Sequence, residues 1–524
     1  MNVLVINLTR FGDLLQSQPL MSGLHAAGHR TGLMCLDTFA AAVPMLRDVD
    51  YTAEFPAATV VSTMQKDWRM GFSGMCGLVG QILDEFRPDL IINTTATNGA
   101  RYLVSLLCQR GASFVGYGAD KTGEPDNVGL WSGVLLSSVK QRMSGVFNIA
   151  DMFRMLGRVG EGAGRNELRL PQREAFEKAD ALLAEQKAGR AGYVALQLGA
   201  SSEKRRWPAE NFAELGTFLH DRLGIVPVLV GTKNERYLLN QYAAHTAAPF
   251  VDAMGRTDIP TLAALLTRTR LLCTNDTGTM HLAAGFGVPS LALFFATAQP
   301  WDTGPYLSDC CCLEPDMPCH PCEFSTVCPN GGACLQRIPV NAVCALVQAK
   351  LVQGAWNTVD VSVLSGVRAW ITGRDAEGLV DLSALTGHET ESRIRVRRRQ
   401  RYFIRHIIDG LENAAARNLS VPAFTADAEA AAQVRTARES LERVLVQGKV
   451  LLKAPAAADG RRFLDACADA GAAIYEGRET AAAGIIWESL CRERGDSLPK
   501  ILSAAVELRA SLAVWERCLS PVSE

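Results

Sequence analysis

What the sequence lacks narrows its class quickly. No stretch approaches the roughly 20 apolar residues that a membrane-spanning helix requires. The opening MNVLVINLTRFGDLLQ has only a short apolar run, with no basic stretch before it and no small-residue cleavage site after it. It is expected to be a buried first strand and not a secretory signal, which puts the protein in the cytoplasm. Charge of one sign is missing as well. Lys and Arg number 53 against 55 Asp and Glu, a formal net charge of −2, so nothing global points to nucleic acid as a partner. A hydrophobic fraction of 48% and a charged fraction of 21% exclude wholesale disorder, a collagen-like repeat and a disulfide mini-scaffold. No Gly-x-Gly-x-x-Gly follows the first strand, which argues against a nicotinamide-dependent oxidoreductase. No repeat of fixed period stands out.

What is present is alternation. At roughly 150 residues per domain, 524 residues suggest about three domains. NVLVINL, TGLMCLD, PDLIINTT and SFVGYG read as short buried strands separated by helical stretches, up to about Leu156. That pattern predicts a parallel sheet covered on both faces. Residues 157–171, rich in Gly and Arg, read as a linker. A second alternation follows: YVALQLGAS, VPVLVGT, RLLCTND and VPSLALFF as strands, with WPAENFAELGTFLHDRLG, DIPTLAALLTRT and TGTMHLAAGFG as helices. The segment from Asp309 to Ile338 is rich in Cys, Pro and Gly and is expected to be irregular. Beyond Trp356 the composition shifts, and residues 423–520, after Pro422, read as helices. The expected division is therefore 1–160, 172–350 (with a Cys-rich segment, 310–344) and a mainly helical 356–524.

Four constellations carry chemistry, each beyond the end of a predicted strand, where open α/β sheets bind ligands. Asn7-Leu8-Thr9-Arg10-Phe11-Gly12-Asp13 turns at a glycine and presents a carboxylate. Asp13 suits either of two uses, general base towards an alcohol or cap of the following helix. Gly199-Ala200-Ser201-Ser202 with Lys204-Arg205-Arg206 offers amides, hydroxyls and cations to a diphosphate, or forms a solvated basic turn. Thr274-Asn275-Asp276-Thr277-Gly278-Thr279-Met280-His281 starts a helix with free amides, a ready anion site that His281 can also reach. In Gly231-Thr232-Lys233-Asn234-Glu235, the carboxylate of Glu235 is placed either for ribose hydroxyls or as an ordinary helix-start acid.

Taken together, NLTRFGDLLQSQP, GASSEKRRWPAENFAEL and NDTGTMHLAAGFGVPSLALF resemble glycosyltransferase family 9, the ADP-heptose:lipopolysaccharide heptosyltransferases, over roughly residues 1–350. The resemblance implies a GT-B fold: an N-terminal Rossmann-like acceptor-side domain and a Rossmann-like nucleotide-sugar donor domain facing each other across a cleft, here with an added mainly helical C-terminal region. It implies inverting transfer of a heptose from ADP-heptose to the lipopolysaccharide core or a related glycan. Asp13 matches the residue proposed as general base. Asp276, Thr277, Gly278, Thr279 and His281 match the donor-binding motif, and Glu235 the donor's ribose contact. Arg205 stands where the family usually has a phosphate-binding Lys, and Lys204 is expected to share that role. No metal or cofactor is implied for the transfer itself. Two alternatives stay open: a protein O-heptosyltransferase using the same donor, and a non-catalytic nucleotide-sugar binding or scaffold protein.

Fifteen cysteines are present, eight of them between Cys310 and Cys344. Cys319-x2-Cys322-x5-Cys328-x5-Cys334 has four-ligand spacing, which suits a structural zinc or iron. His320 is a substitute ligand. The other reading is a set of reduced loop thiols. Some protein-glycosylating relatives of the family hold iron with cysteines in this region. The segment RIRVRRRQRYFIRHI carries seven arginines between Arg393 and Arg405. It reads as a solvated face paired with acidic neighbours, or as a contact with an anionic membrane surface at the inner face of the inner membrane, where a glycolipid acceptor would sit. The helical C-terminus fits oligomerisation, acceptor recognition or a partner protein.

Overall fold

A computed structural model describes all residues except 141, 143–144, 161–163, 187–190, 325, 413–423, 454, 494–496 and 521–524. Part of the predicted linker (161–163) and the Pro422 boundary therefore lie outside the described residues. The chain forms two compact units: residues 1–114 with 147–389, and residues 115–146 with 390–524.

The first unit holds two sheets. In one, β1 (Asn2–Asn7), β2 (Arg30–Leu36), β3 (Tyr51–Phe55) and β4 (Leu90–Asn93) lie parallel in the order β3-β2-β1-β4. Val3, Leu4, Val5 and Ile6 of β1 are completely buried, the pattern of a central parallel strand covered on both faces. At the start of the second unit, β5 (Ser113–Ala119) and β6 (Pro125–Val128) pair antiparallel. The other sheet of the first unit has eight strands: β7 (Tyr193–Gln197), β8 (Val226–Val230), β9 (Val251–Asp252), β10 (Thr269–Asn275), β11 (Ser290–Leu293), β12 (Cys311–Pro315), β13 (Val367–Arg374) and β14 (Val380–Ala384). Their order is β14-β13-β12-β11-β10-β7-β8-β9. The last two strands run antiparallel to their neighbours and the rest are parallel. These are the two parallel α/β halves expected from the alternation.

Three features differ from the sequence reading. Residues 311–315, expected to be irregular, form a buried strand in the sheet. Cys311 and Cys312 open that strand and Cys310 precedes it, all three fully buried, and Cys344 is buried on the helix Val340–Gln348. Cysteine here behaves as a small apolar residue, so four of the eight clustered cysteines belong to the core. Residues 367–384, inside the segment expected to be mainly helical, add β13 and β14 to the sheet. The arginine-rich helix Ser392–Glu412 is not a solvated face, since Arg397, Arg399 and Arg401 are buried. Arg399 makes a two-pronged contact with Glu479 (2.6 and 3.0 Å) and reaches Asp427 at 3.1 Å. Its partners lie 80 and 28 residues away, so the pairing is invisible in the local sequence.

The second unit is otherwise helical. Phe403 stacks on Trp515 at 4.4 Å between ring centroids. The helix Leu130–Lys140 packs on the helix Ala481–Glu493, which accounts for residues 115–146 falling in one unit with the C-terminal helices.

Within the first unit a buried polar knot fastens the helix Ile149–Leu156 to the larger sheet. Asp151 is fully buried. It accepts from the Tyr306 hydroxyl (2.7 Å), the Val380 amide (2.8 Å) and Arg154 (3.2 Å). The Arg374 guanidinium lies 3.9 Å over the Tyr306 ring. Removing one member of a buried charged pair strands the other, so Asp151→Ala is expected to cost about 3–5 kcal/mol. The check is the chemical-denaturation midpoint, which should fall clearly below that of the native chain.

Candidate functional site

The site rests on two strand ends that close with the same residue. β1 ends at Asn7 and β10 at Asn275. Asn7 donates to the Asp13 carbonyl (3.0 Å) and the Ser17 hydroxyl (2.8 Å), while its oxygen accepts from the Thr9 hydroxyl (2.5 Å). The turn before the helix Phe11–Leu15 is thereby held against the strand. Asn275 donates to the carbonyls of Leu198 (2.9 Å) and Gly199 (3.2 Å), and its oxygen accepts from the Trp207 amide (2.9 Å). That ties the turn after β7 to the end of β10. Trp207, fully buried, donates from its indole to the Ile338 carbonyl at 3.0 Å. The result is that Arg205, inside the tied turn, comes to rest on Asp276.

These ends open onto a cleft of about 700 Å³. Asp13, Arg205, Glu235, Asp276, Thr277, Gly278, Thr279 and His281 all line it, although they come from four separate turns. Lys204 does not: it is exposed, outside the cleft. Lys233 of the fourth constellation lines the cleft too, as do Gln16, Phe39 and Gln197, which none of the four constellations includes. Gln16 is notable because it is nearly fully buried and its side-chain oxygen has no partner among the described residues. Asn7, Asn275 and Gln16 were legible only in part. An Asn closing an apolar run, as in VLVIN and LLCTN, is the signal that could have found the first two.

Asp13 takes part in capping its own helix and also lines the cleft. Its carboxylate accepts the Arg10 amide at 3.3 Å, a long cap, and also faces the cleft. Burial raises its pKa above the ordinary carboxyl value. The Arg10 amide, the Thr9 hydroxyl and the Arg10 charge pull it back, and the Asp276 charge pushes it up again. A carboxylate held this way is a better base than a solvated one once deprotonated.

On the opposite wall, Thr277 is the N-cap of the helix Gly278–Gly285, but its side chain does not cap the helix. Its hydroxyl lies 3.3 Å from that of Thr274 instead. The first-turn amides are left for a ligand at the positive end of the helix. The Thr279 hydroxyl donates to Gln197 at 3.0 Å. Burial pushes His281 down to about 4, so the imidazole is neutral. Its Nδ1 has no partner among the described residues. Arg205 pairs with Asp276 and approaches Ser201 at 3.3 Å. The Glu235 carboxylate accepts from the Thr232 amide and hydroxyl, both at 2.8 Å, and lies so close over Gly199 that a Cβ there would overlap it.

The two walls meet through glycine. A Cβ on Gly12 would come within 2.8 Å of the His281 ring and 3.4 Å of Gly278 Cα, and one on Gly278 within 2.5 Å of the Phe11 ring. Two helix N-termini thus approach at a distance that only glycines tolerate, which brings Asp13 to face the amides of residues 277–279.

The loop cysteines sit beside this arrangement. Burial raises the Cys322 thiol, with further upward pushes from Cys319, Cys334 and Cys328 and a downward one from Lys204. Cys328 is lowered by the amides of Gly332 and Asn330, with Lys204 helping; the Gly332 amide lies 3.3 Å from its sulfur. The Cys322 amide donates to the Ala296 carbonyl at 2.8 Å. The four thiols are neighbours, yet no three of their sulfurs lie within 4.8 Å of one another. His320 turns inward, Nε2 lying 3.0 Å from Glu314, and is not a substitute ligand.

Residues 163–333 match the model of glycosyltransferase family 9 (heptosyltransferase). Lipopolysaccharide heptosyltransferase 1 of Pseudomonas aeruginosa is 32% identical over 136 residues, which is 26% of this chain and 38% of that protein. Lipooligosaccharide heptosyltransferase 2 of Haemophilus ducreyi is 28% identical over 106 residues, 19% of this chain and 30% of that protein. The matches thus span well under half of either relative. Among solved structures, the E. coli ADP-heptose lps heptosyltransferase II aligns with a TM-score of 0.50 at 17% identity, covering 68% of this chain and 99% of that one. That likeness concerns the fold, and it agrees with two Rossmann-like halves in a GT-B arrangement. The family model thus covers about a third of this chain, including the strand-end motifs at 199–208 and 274–281.

Proposed function

We propose that the protein is an inverting glycosyltransferase that moves a heptose from ADP-heptose to a hydroxyl of a lipopolysaccharide core or related glycan. The observation that carries this reading is the convergence, in one cleft, of a half-buried carboxylate at Asp13 with an uncapped helix start at Thr277–Thr279. Sugar transfer needs these two things facing each other: a base for the incoming hydroxyl and a sink for the departing diphosphate.

In this proposal residues 1–160 present the acceptor and residues 172–350 hold the donor. Asp13 removes the acceptor proton as that oxygen attacks the anomeric carbon from the face opposite the diphosphate. Charge growing on the diphosphate is met by the amides of residues 277–279 and by Arg205 once Asp276 releases it. Neutral His281 supplies a hydrogen bond to the donor without adding charge. Glu235 takes the ribose. A glycolipid acceptor brings the enzyme to a membrane surface. No described helix is long and apolar enough to cross a membrane, and the buried arginines of 397–401 are unsuited to making the surface contact.

For the loop cysteines we propose a structural zinc or iron held by Cys319, Cys322, Cys328 and Cys334. The donor chemistry fits a soft metal, and the amides at Cys328 favour the thiolate that a metal requires. Such an ion would brace the loop beside Lys204 and take no part in transfer.

Calorimetric titration with ADP, UDP, GDP and CDP tests the donor. ADP is expected to bind selectively, and Arg205→Ala to weaken it about tenfold or more, the loss of a charge-assisted hydrogen bond. Selectivity for another nucleotide would discard heptose as the leading sugar. Asp13→Asn is expected to lower turnover by about 10²–10⁴-fold while ADP affinity stays unchanged. The native rate should rise with pH through a carboxyl pKa displaced upward, because only the deprotonated form accepts the proton; Asp13→Asn should erase that acid limb. A variant that turns over normally removes Asp13 as base. Elemental analysis is expected to find about one zinc or iron per chain, reduced in Cys322→Ser; protein purified without stoichiometric metal ends the metal proposal.

A further inference from the structure

In the second unit the helices Ala457–Glu476 and Ala481–Glu493 form a hairpin across the four residues 477–480. Their facing seam can be read as layers counted away from the turn. A Cβ on Gly484 would lie 3.0 Å from the backbone of Tyr475, and one on Gly471 3.6 Å from the Trp487 ring. Positions 475, 471 and 467 step by four on one helix; positions 484, 487 and 491 step by three and four on the other. These are the spacings that keep residues on one helix face. The next layer therefore pairs Cys467 with Cys491, and there the two thiols hydrogen-bond to each other. The Trp487 indole donates to the Cys467 carbonyl at 3.1 Å, which fixes the register one layer below. Glycines at 471 and 484 let the helix backbones draw together.

Neither thiol is sealed. Both are half-buried and both line an open groove of about 450 Å³ with Gly471, Tyr475 and Trp487. The pair differs in that respect from Cys310, Cys311 and Cys312, which are wholly buried. It also has no part in the cleft chemistry.

We propose that Cys467 and Cys491 form a reversible dithiol–disulfide site that reacts with small-molecule disulfides of the glutathione type. Cys467 is the attacking thiol, because the hydrogen bond from Cys491 stabilises its thiolate while Cys491 is held protonated. The Cys467 thiolate attacks one sulfur of the disulfide, forming a mixed disulfide and releasing one thiolate, which takes up a proton. Cys491 gives its proton to solvent and attacks the Cys467 sulfur, expelling the second thiolate. The protein loses two protons and two electrons, and the small disulfide gains them and is reduced to two thiols. The new bond closes the hairpin at its open end and locks one helix to the other, which stabilises the oxidised chain by restricting its unfolded state.

The test is to equilibrate the folded full-length protein with oxidised glutathione, block remaining thiols and map peptides by mass spectrometry. The expected product is a Cys467–Cys491 peptide pair lighter by two hydrogens, restored by excess reduced glutathione, with the denaturation midpoint raised in the oxidised form. In Cys491→Ser, Cys467 is expected to stop at the mixed disulfide with glutathione; in Cys467→Ser, Cys491 is expected to remain unmodified. The proposal is overturned if other cysteines react while 467 and 491 stay unlinked, or if Cys491→Ser accumulates no mixed disulfide at Cys467. Far-ultraviolet circular dichroism separates a misfolded variant from an unreactive one.

Discussion

The close approach of Gly12 and Gly278 is the constraint on which the cleft depends. The two helix starts it joins carry Asp13 on one side and residues 277–281 on the other. Asp13 sits on one of the two touching helices, and the amides of residues 277–279 start the other. A side chain at either glycine would overlap the opposite wall, the His281 ring from Gly12 or the Phe11 ring from Gly278, and push the two walls apart. The asparagines at 7 and 275 serve the same end from behind, each holding its turn to its strand so that the glycine contact is approached from a fixed direction.

The polar knot around Asp151 and the ion pairs of Arg399 do a different kind of work. Asp151 and Arg399 are buried and reach partners remote in sequence, Tyr306 and Val380 for the first and Glu479 for the second. Such groups contribute little net stability over an apolar replacement, but they are severely punished when half-removed. Their effect is to make one arrangement of the elements far better than its neighbours. In the first unit that arrangement fixes the helix 149–156 against β14. In the second it fixes the arginine-rich helix within the bundle.

Much of this was legible in the sequence because strand, turn and helix each leave a local mark. The runs VLVIN and LLCTN followed by glycine-containing turns located β1 and β10 and the helices after them, and eight of the nine residues proposed for catalysis and donor binding do line one cleft. Lys204 was the exception; adjacency to Arg205 in the chain says nothing about which way a three-residue turn points each side chain. The rest was hidden for identifiable reasons. Cysteine reads as a ligand or a loop marker, so a strand made of Cys311 and Cys312 looked irregular. Arginines read as surface, and the burial of Arg399 is matched by Glu479 and Asp427, which lie far off in the sequence. The Gly12–Gly278 approach is a contact between residues 266 positions apart, and no local pattern records it.

The pairing of Arg205 with Asp276 has one more consequence. If Arg205 receives a diphosphate as proposed, that cation already has an anion, so the ligand would enter by exchange and not by filling a vacancy. An internal rival of this kind subtracts the same free energy from every anion that competes with it. It rejects weakly charged visitors, which gain too little from the guanidinium to displace a neighbouring carboxylate. It also favours departure: when a spent nucleotide loosens, the carboxylate is at hand to reclaim the arginine, so the free site is never left with a bare buried charge. The same pair that delays entry sets a ceiling on how tightly the product can be held.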